Sequence, residues 1–264
     1  MEDRTGAERD GSLTLVADRE RLLRSLDSGP LSKPTLTERV AASRSTVDRG
    51  LRELAAHGLV ERTPEGYRRT ALGRLLLSEY DRYTERAESV LDASAVLAAL
   101  PAGAELPAPV VVGATVASPQ ANDPYGPLED GMALLAGADH ARTVSTSALT
   151  RYAGLYDLGL LPDDGSATLC LPARSVRSLV SDRPEWFRQA IARSDVELRE
   201  TEREPPYAVT LVERDGERSV AVAVFDDRGV GSGLVNDTDG AIEWAEGFIE
   251  EWWSGATVVS PSER

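Results

Sequence analysis

The stretch Ser43–Val60, SRSTVDRGLRELAAHGLV, constrains the fold of this chain more than any other segment. Val47, Leu51 and Leu54 recur at i, i+4 and i+7, so a helix presents them as one apolar stripe that has to be buried against another element. Arg44, Ser45, Thr46, Asp48, Arg49 and Arg52 fill the remaining surface, which is polar and mainly basic. Ser43 can cap the first turn, and Gly58 stands where a helix ends in a left-handed residue. The segment therefore reads as a short helix bounded at both ends, with one face for a core and the other turned outward.

A second short helix precedes it. Pro34-Thr35-Leu36-Thr37-Glu38 supplies a start signal with Thr35 and Glu38 at capping-box spacing, and Leu36, Val40 and Ala41 form the inward side. About three residues around Ala42–Arg44 separate the two helices. That tight junction, with Arg, Ser and Thr at the start of the second helix, matches a helix-turn-helix, in which this end meets base edges. Leu59–Thr70 then reads as two short strands around a Pro-Glu-Gly turn, a wing from which Arg62, Arg68 and Arg69 extend toward a phosphate backbone. Burial of the Val47 stripe turns Arg44, Ser45, Thr46, Arg49 and Arg52 toward the groove, while Asp48 either pairs with a neighbour or accepts from a cytosine. Through the motifs SRSTVDRGLRELAAHGLVER and GYRRTALG, residues 17–77 resemble the winged helix-turn-helix domain of archaeal transcriptional regulators. The resemblance implies double-stranded DNA as a partner.

Net charge of −15 over 264 residues argues against a nucleic-acid partner until its distribution is examined. Between Arg19 and Leu75 twelve Arg/Lys face seven Asp/Glu, whereas residues 101–264 hold thirteen against 27, so the basic charge collects on the helix-turn-helix. Lys33 is the only lysine. Scarce lysine with abundant acid resembles proteins of salt-accumulating archaea, and a high-GC genome would give the same bias.

After the wing, Ala71–Leu100 contains no proline and a single glycine, which predicts one long connecting helix. Leu76, Tyr80, Tyr83, Ala87, Val90, Ser94 and Leu97 follow a/d spacing, and a seam through Leu76, Tyr80, Tyr83, Val90 and Leu97 predicts a homodimer, the alternative being that it packs on the chain's own second domain. Pro101–Pro109 reads as a linker. Beyond it, Val110–Val116, Arg142–Ser147 and Ala167–Leu171 are strand candidates alternating with helical stretches near Leu128–Ala138, Ala148–Leu160 and Val176–Arg193. Val196–Thr201, Tyr207–Glu213, Ser219–Phe225 and Gly231–Asn236 follow as strands, with a last helix over Asp239–Trp253.

The expected organisation is thus a two-domain α+β / α/β chain. A tail (1–12) leads into a winged helix-turn-helix (13–77), followed by a connecting helix (71–100), a linker (101–109), a mixed α/β domain (110–255) and a tail (256–264). Residues 105–255, with pieces such as DDRGVGSGLVNDTDGAIEWAEGFIEEWW, resemble the effector domain of archaeal regulators named for methanogenesis regulatory proteins. If the first three strands are parallel, their carboxyl ends gather Ser118, Asn122, Tyr125, Ser145, Ser147, Arg151, Arg174 and Ser175 into a rim suited to a small polar or anionic effector. The alternative for these residues is helix capping.

No apolar run reaches the ~20 residues of a membrane span, and Met1–Gly11 lacks the apolar core of a signal peptide, so a cytoplasmic protein without membrane contact is expected. Cys170, the single cysteine, excludes an internal disulfide and a thiolate metal cluster, and its apolar neighbours mark it as a buried strand residue. Only His57 and His140 are available as histidines, and His140 has no lysine two residues on. Gly229–Gly233 lacks the spacing of a phosphate-binding loop and reads as a place where strands turn. No catalytic residue, metal ligand or cofactor is expected. An α/β enzyme fused to a winged helix, or a winged helix used for protein contact, remains the alternative.

Overall fold

The computed structural model describes residues 4–118, 126, 133–147, 165–226 and 229–259. The chain divides into two units between Ala87 and Glu88.

The first unit begins with α1 (Arg4–Asp18), so the expected tail at 1–12 is helical from Arg4 onward. α2 (Glu20–Ser25), α3 (Lys33–Val40) and α4 (Arg44–Ala56) follow. Leu22, Leu23, Leu26, Leu36, Val47, Leu51, Leu54 and Leu59 form one closed core beneath them. α3 starts earlier than Thr35. Ser32 is its cap, its hydroxyl accepting from the Thr35 amide, and Pro34 sits in the first turn, where a missing N–H costs nothing. The turn into α4 is made by Ala41, a left-handed residue at φ 52°, which leaves Ala41 exposed instead of facing inward.

The wing consists of β1 (Val60–Thr63) and β2 (Gly66–Arg69), antiparallel and closed by Pro64-Glu65. Leu31 adds a third, one-residue bridge to Tyr67 through two backbone hydrogen bonds of 2.9 Å. This close approach dictates Gly66: it has φ 145°, and a Cβ there would lie 2.2 Å from the Leu31 carbonyl oxygen. α5 (Ala71–Asp92) leaves the wing at Thr70, whose hydroxyl accepts from the Gly73 amide at 3.0 Å. Gly73 is required for contact of a different kind, since a Cβ would stand 2.0 Å from the Leu59 carbonyl oxygen.

The single long helix expected over 71–100 is two helices, α5 and α6 (Ser94–Ala99), broken at Ala93. Ala93 and Val96 are fully buried in the core of the second unit, and burial of these two side chains sets the direction of α6. The stretch 101–109 also packs there, with Leu106 against the core and the Tyr207 hydroxyl donating to the Glu105 carbonyl at 2.9 Å.

The second unit is built on an eight-stranded sheet of order β10-β6-β5-β4-β7-β8-β9-β3. Its strands are β3 (Thr115–Ala117), β4 (His140–Val144), β5 (Ser166–Pro172), β6 (Val196–Thr201), β7 (Ala208–Arg214), β8 (Glu217–Asp226), β9 (Gly229–Asn236) and β10 (Thr257–Val258). β4, β5 and β6 run parallel, and the remaining pairs are antiparallel. Gly229–Gly233 thus lies inside β9, and residues 257–258 extend the sheet instead of trailing from it.

Val110–Val116 is not one strand. Pro107 and Pro109 start a helical turn, α7 (Ala108–Val111), and Gly113 at φ 81° separates it from β3. Pro184 likewise divides the helix expected over Val176–Arg193 into α8 (Ala173–Asp182) and α9 (Pro184–Ala192). One face of the sheet is covered by α6, α7 and α10 (Asp239–Ser254), where Val144, Cys170, Val209, Leu211, Val222 and Leu234 meet Val96, Ile249 and Trp252. α8 and α9 cover β5 and β6 on the other face through Leu171, Val176, Leu179, Phe187 and Leu198. Alternating residues of β5 feed both cores, as expected of a parallel strand buried on two sides. Asn236, almost fully buried, ties α7 to the sheet: its amide donates to the Val110 and Val112 carbonyls at 2.9 Å, and its oxygen accepts from the Thr238 amide. The helical stretch Ala148–Leu160 and residues 128–132 of the stretch Leu128–Ala138 lie outside the described residues.

Candidate nucleic-acid interface

α4 buries Val47, Gly50, Leu51 and Leu54. At 3.6 residues per turn the opposite line is Ser45, Arg49, Arg52 and Ala56, all exposed, with Arg44 and Thr46 exposed on its flanks. The Ser43 hydroxyl caps the helix by accepting from the Thr46 amide at 3.2 Å, and it lies 2.9 and 2.8 Å from the Ser45 and Thr46 hydroxyls. Three hydroxyls are therefore clustered at the positive end of the helix dipole.

The charges on this face differ in commitment. Arg44 and Arg62 are exposed and make no hydrogen bond or ion pair among the described residues. Arg49 is 3.7 Å from Glu53, but that carboxylate is held more closely by Arg19 at 2.7 Å, so Arg49 keeps most of its hydrogen-bonding capacity. Arg52 reaches back to the Asp48 carbonyl at 3.3 Å, and Arg68 pairs with Glu61 across the wing at 2.7 Å. Both lie in exposed contacts of the kind that contribute little and exchange readily.

Asp48 takes the first of the two roles open to it from sequence, pairing with the Lys33 ammonium at 2.6 Å. The same ammonium sits 5.9 Å from the centre of the Tyr67 ring. Its hydrogen bond to Asp48 holds Lys33 above the ordinary lysine value. One side chain thereby touches the start of α3, the face of α4 and the wing, a role that sequence reasoning missed although the chain has no other lysine.

Arg69 departs from expectation. Its side chain is 10% exposed and ion-paired to Asp27. Successive residues of a strand point to opposite faces, so Arg68 faces outward while Arg69 joins Tyr67 on the inner side. It braces the wing against the end of α2.

The seam expected on α5 is also redistributed. Leu76 and Tyr80 pack against the core of the first unit, and Leu97 against that of the second. Tyr83 and Val90 stay exposed, in line with Leu72 and Leu75.

In the second unit, the carboxyl ends of β4 and β5 bring together Ser145, Ser147, Arg174 and Ser175, and the side chains of Ser145, Arg174 and Ser175 are committed to neighbouring protein groups. The Ser145 hydroxyl donates to the Ser147 carbonyl at 2.9 Å, and that of Ser175 to the Thr146 carbonyl at 3.3 Å. Arg174 grips Glu204 through two hydrogen bonds of 2.6 and 2.5 Å, which hold the carboxyl below the ordinary glutamate value. Ser118 is not part of this group. β3 lies at the far edge of the sheet, with β7, β8 and β9 between it and β4. Asn122, Tyr125 and Arg151 lie outside the described residues.

Burial pushes the Cys170 thiol up to about 11, which removes the thiolate a nucleophile needs. His140 is exposed, with Nδ1 2.8 Å from the Ser166 hydroxyl. Among the described residues no three His, Cys, Asp or Glu side chains are placed to hold a metal ion, and no helix is long and apolar enough to cross a membrane.

A helix-turn-helix with a wing, followed by a mixed α/β domain, defines a two-domain regulator architecture. Residues 8–92 match the family model described as the HVO_A0261 N-terminal domain. Residues 124–255, half of the chain, match that of the methanogenesis regulatory protein FilR1, middle domain, and the chain belongs to this family of transcriptional regulators. No curated protein matches. Among solved structures the chain is similar to TrmBL2, an archaeal chromatin protein described as showing a novel mode of DNA binding. That likeness has 15% identity and a TM-score of 0.39 over 95% of this chain and 99% of the other. It is also similar to Nuc, a phospholipase D family member from Salmonella typhimurium, with 15% identity and a TM-score of 0.40 over 56% of this chain and 99% of that one. NucT from Helicobacter pylori is 8% identical, with a TM-score of 0.42 over 55% and 98%.

Proposed function

We propose that the chain is a cytoplasmic, homodimeric transcriptional regulator that reads double-stranded DNA with α4 and grips its backbone with the wing. The observation that carries this is the outward line of α4. Ser45, Arg49 and Arg52 face away from the core, and the uncommitted Arg44 stands beside them at the hydroxyl-capped, positive end of the helix. Arginine forks suit guanine edges and phosphates. Arg62 and Arg68 supply backbone contacts, and the membership of residues 124–255 in a regulator family supports the same reading.

The second domain serves in this proposal as the receiver of a signal, a small polar or anionic effector, and performs no catalysis. Such an effector shifts DNA affinity only to the extent that it prefers one arrangement of the dimer. The test is fluorescence anisotropy with labelled duplex from the protein's own promoter region, at a salt concentration where the fold is intact. Tight binding should be lost when Arg44 and Arg49 are both replaced by alanine, with melting temperature unchanged. Undiminished affinity in that double variant excludes α4 as the reader.

A further inference from the structure

One face of α5 carries exposed apolar residues that are unpartnered among the described residues: Leu72 is 49% exposed, Leu75 65%, Tyr83 67% and Val90 40%. At 100° per residue these four fall within about 80° of one another, and the gaps in the line are filled by Glu79 and Arg86. Glu79 spends its charge on the exposed Arg82 at 2.6 Å, whereas Arg86 has no hydrogen bond or ion pair among the described residues. An apolar line of this length in an otherwise acid-rich chain calls for a cover, and the pattern of charge within it says which.

We propose that this face binds the same face of a second copy of the chain, with the two α5 helices antiparallel and their midpoint between Arg82 and Tyr83. The inference rests on the homodimer proposed above and adds its orientation and register. A parallel pair would set every residue beside its own copy, so that Glu79 meets the partner's Glu79 and Arg86 the partner's Arg86, two like-charge clashes inside an apolar seam. Reversing one helix about the midpoint removes both. Glu79 then faces the partner's Arg86, and by two-fold symmetry the pair occurs twice. Leu75 meets the partner's Val90, and Arg82 lies against the ring of the partner's Tyr83, a favourable cation–π arrangement.

The register has a consequence for the DNA. From the midpoint to Ala71, where α5 leaves the wing, is between eleven and twelve residues. At ~1.5 Å per residue the starts of the two helices lie about 34 Å apart, close to one turn of B-form DNA. An antiparallel α5 pair therefore presents two winged heads at the spacing of adjacent major grooves, and the operator is expected to be palindromic with half-sites about one turn apart.

Charge swapping in the full-length chain tests the arrangement, with sedimentation equilibrium as readout and circular dichroism to confirm folding. Glu79→Arg and Arg86→Glu should each weaken self-association, by roughly tenfold in dissociation constant. The double variant carrying both changes should recover the wild-type value. Mixing the two single variants should produce a heterodimer tighter than either homodimer, because every contact in it is again between opposite charges. Leu75→Ser should weaken association without affecting the charge-swap logic. A dimer whose affinity is indifferent to all these changes overturns the antiparallel α5 seam while leaving the proposed homodimer in place through another surface. A wild-type chain that is monomeric at tens of micromolar overturns both. Single variants that weaken association without recovery in the double variant or the mixture overturn the register.

Discussion

The two units of this chain commit their arginines differently. In the described part of the α/β unit, Arg142, Arg174, Arg193, Arg199, Arg203 and Arg218 each have an acidic partner, and Arg214 closes the end of a helical turn by donating to the Ala133, Leu134 and Ala136 carbonyls. In the winged unit the arginines that brace the interior are paired as well: Arg19 with Glu53, Arg24 with Asp81, Arg69 with Asp27. Those on the outward side of α4 and the wing tip are not, or are held weakly. Arg44 and Arg62 have no partner among the described residues, and the Arg49–Glu53 contact is loose. A chain with net charge −15 has acid to spare, so arginine left uncommitted on this face supports the proposal that an external anion is met there.

The largest effect that separates the units is steric. Gly73→Ala forces a Cβ to 2.0 Å from a backbone carbonyl, and it should destabilise the winged unit by roughly 3 kcal/mol or more. Gly247→Ala in α10 has open space around it and should stabilise the second unit by ~0.5–1 kcal/mol through helix propensity alone. Calorimetry of both variants should show one transition move down and the other up. A common shift would mean that the units unfold together.

Next in size, Asn236→Ala leaves the Val110 and Val112 carbonyls buried without their donor and should cost ~2–4 kcal/mol in urea unfolding, with DNA affinity preserved once folded. Arginines divide by commitment. Arg49→Ala should lower operator affinity by ~1–3 kcal/mol at unchanged melting temperature. Arg62→Ala should weaken all duplexes alike and reduce the salt slope by about one. Arg69→Ala, in contrast, should lower the melting temperature of the winged unit, because its guanidinium is largely enclosed. If Arg69→Ala changes only the salt slope, the assignment of Arg69 to bracing is wrong.

The smallest effect tests the paired side of the comparison. Arg174 depresses the Glu204 value in the folded state, so this pair contributes stability above the ordinary glutamate value and loses it as pH falls through the depressed one. Both side chains are more than half exposed, which limits the contribution to less than ~0.5 kcal/mol. Glu204→Gln should therefore narrow the difference in urea midpoint between pH 7 and pH 3.5 only slightly. A large change would show that the rim holds more charge coupling than its exposure allows.

Local signals determined a great deal. The i, i+4, i+7 stripe of Val47, Leu51 and Leu54, the Ser43 cap, the Gly58 terminus and the Pro-Glu-Gly turn each concern residues close in sequence, and the structure realises all of them. β6 was legible to the residue, and β7 to β9 and the last helix nearly so, because alternation and turn residues are equally local. What no local pattern contains is which core a side chain will join. Leu76, Tyr80 and Leu97 share one spacing yet enter two different cores, and the helix that carried them breaks at Ala93, which is itself buried in the second of these cores. Arg68 and Arg69 are the same residue side by side, and only the pairing of β2 with β1 on one side and Leu31 on the other decides which faces out. The rim lost Ser118 for the same reason, since β3 pairs with β9 at the far edge and takes Ser118 away from Ser145. Sequence by itself determined α4 with its two ends and basic face, the wing, and the run of strands from β6 to β9, because these follow from interactions a few residues long. The tertiary structure alone decided strand order, the partition of apolar residues between two cores and the partner of each charge, because those depend on contacts between residues far apart in the chain.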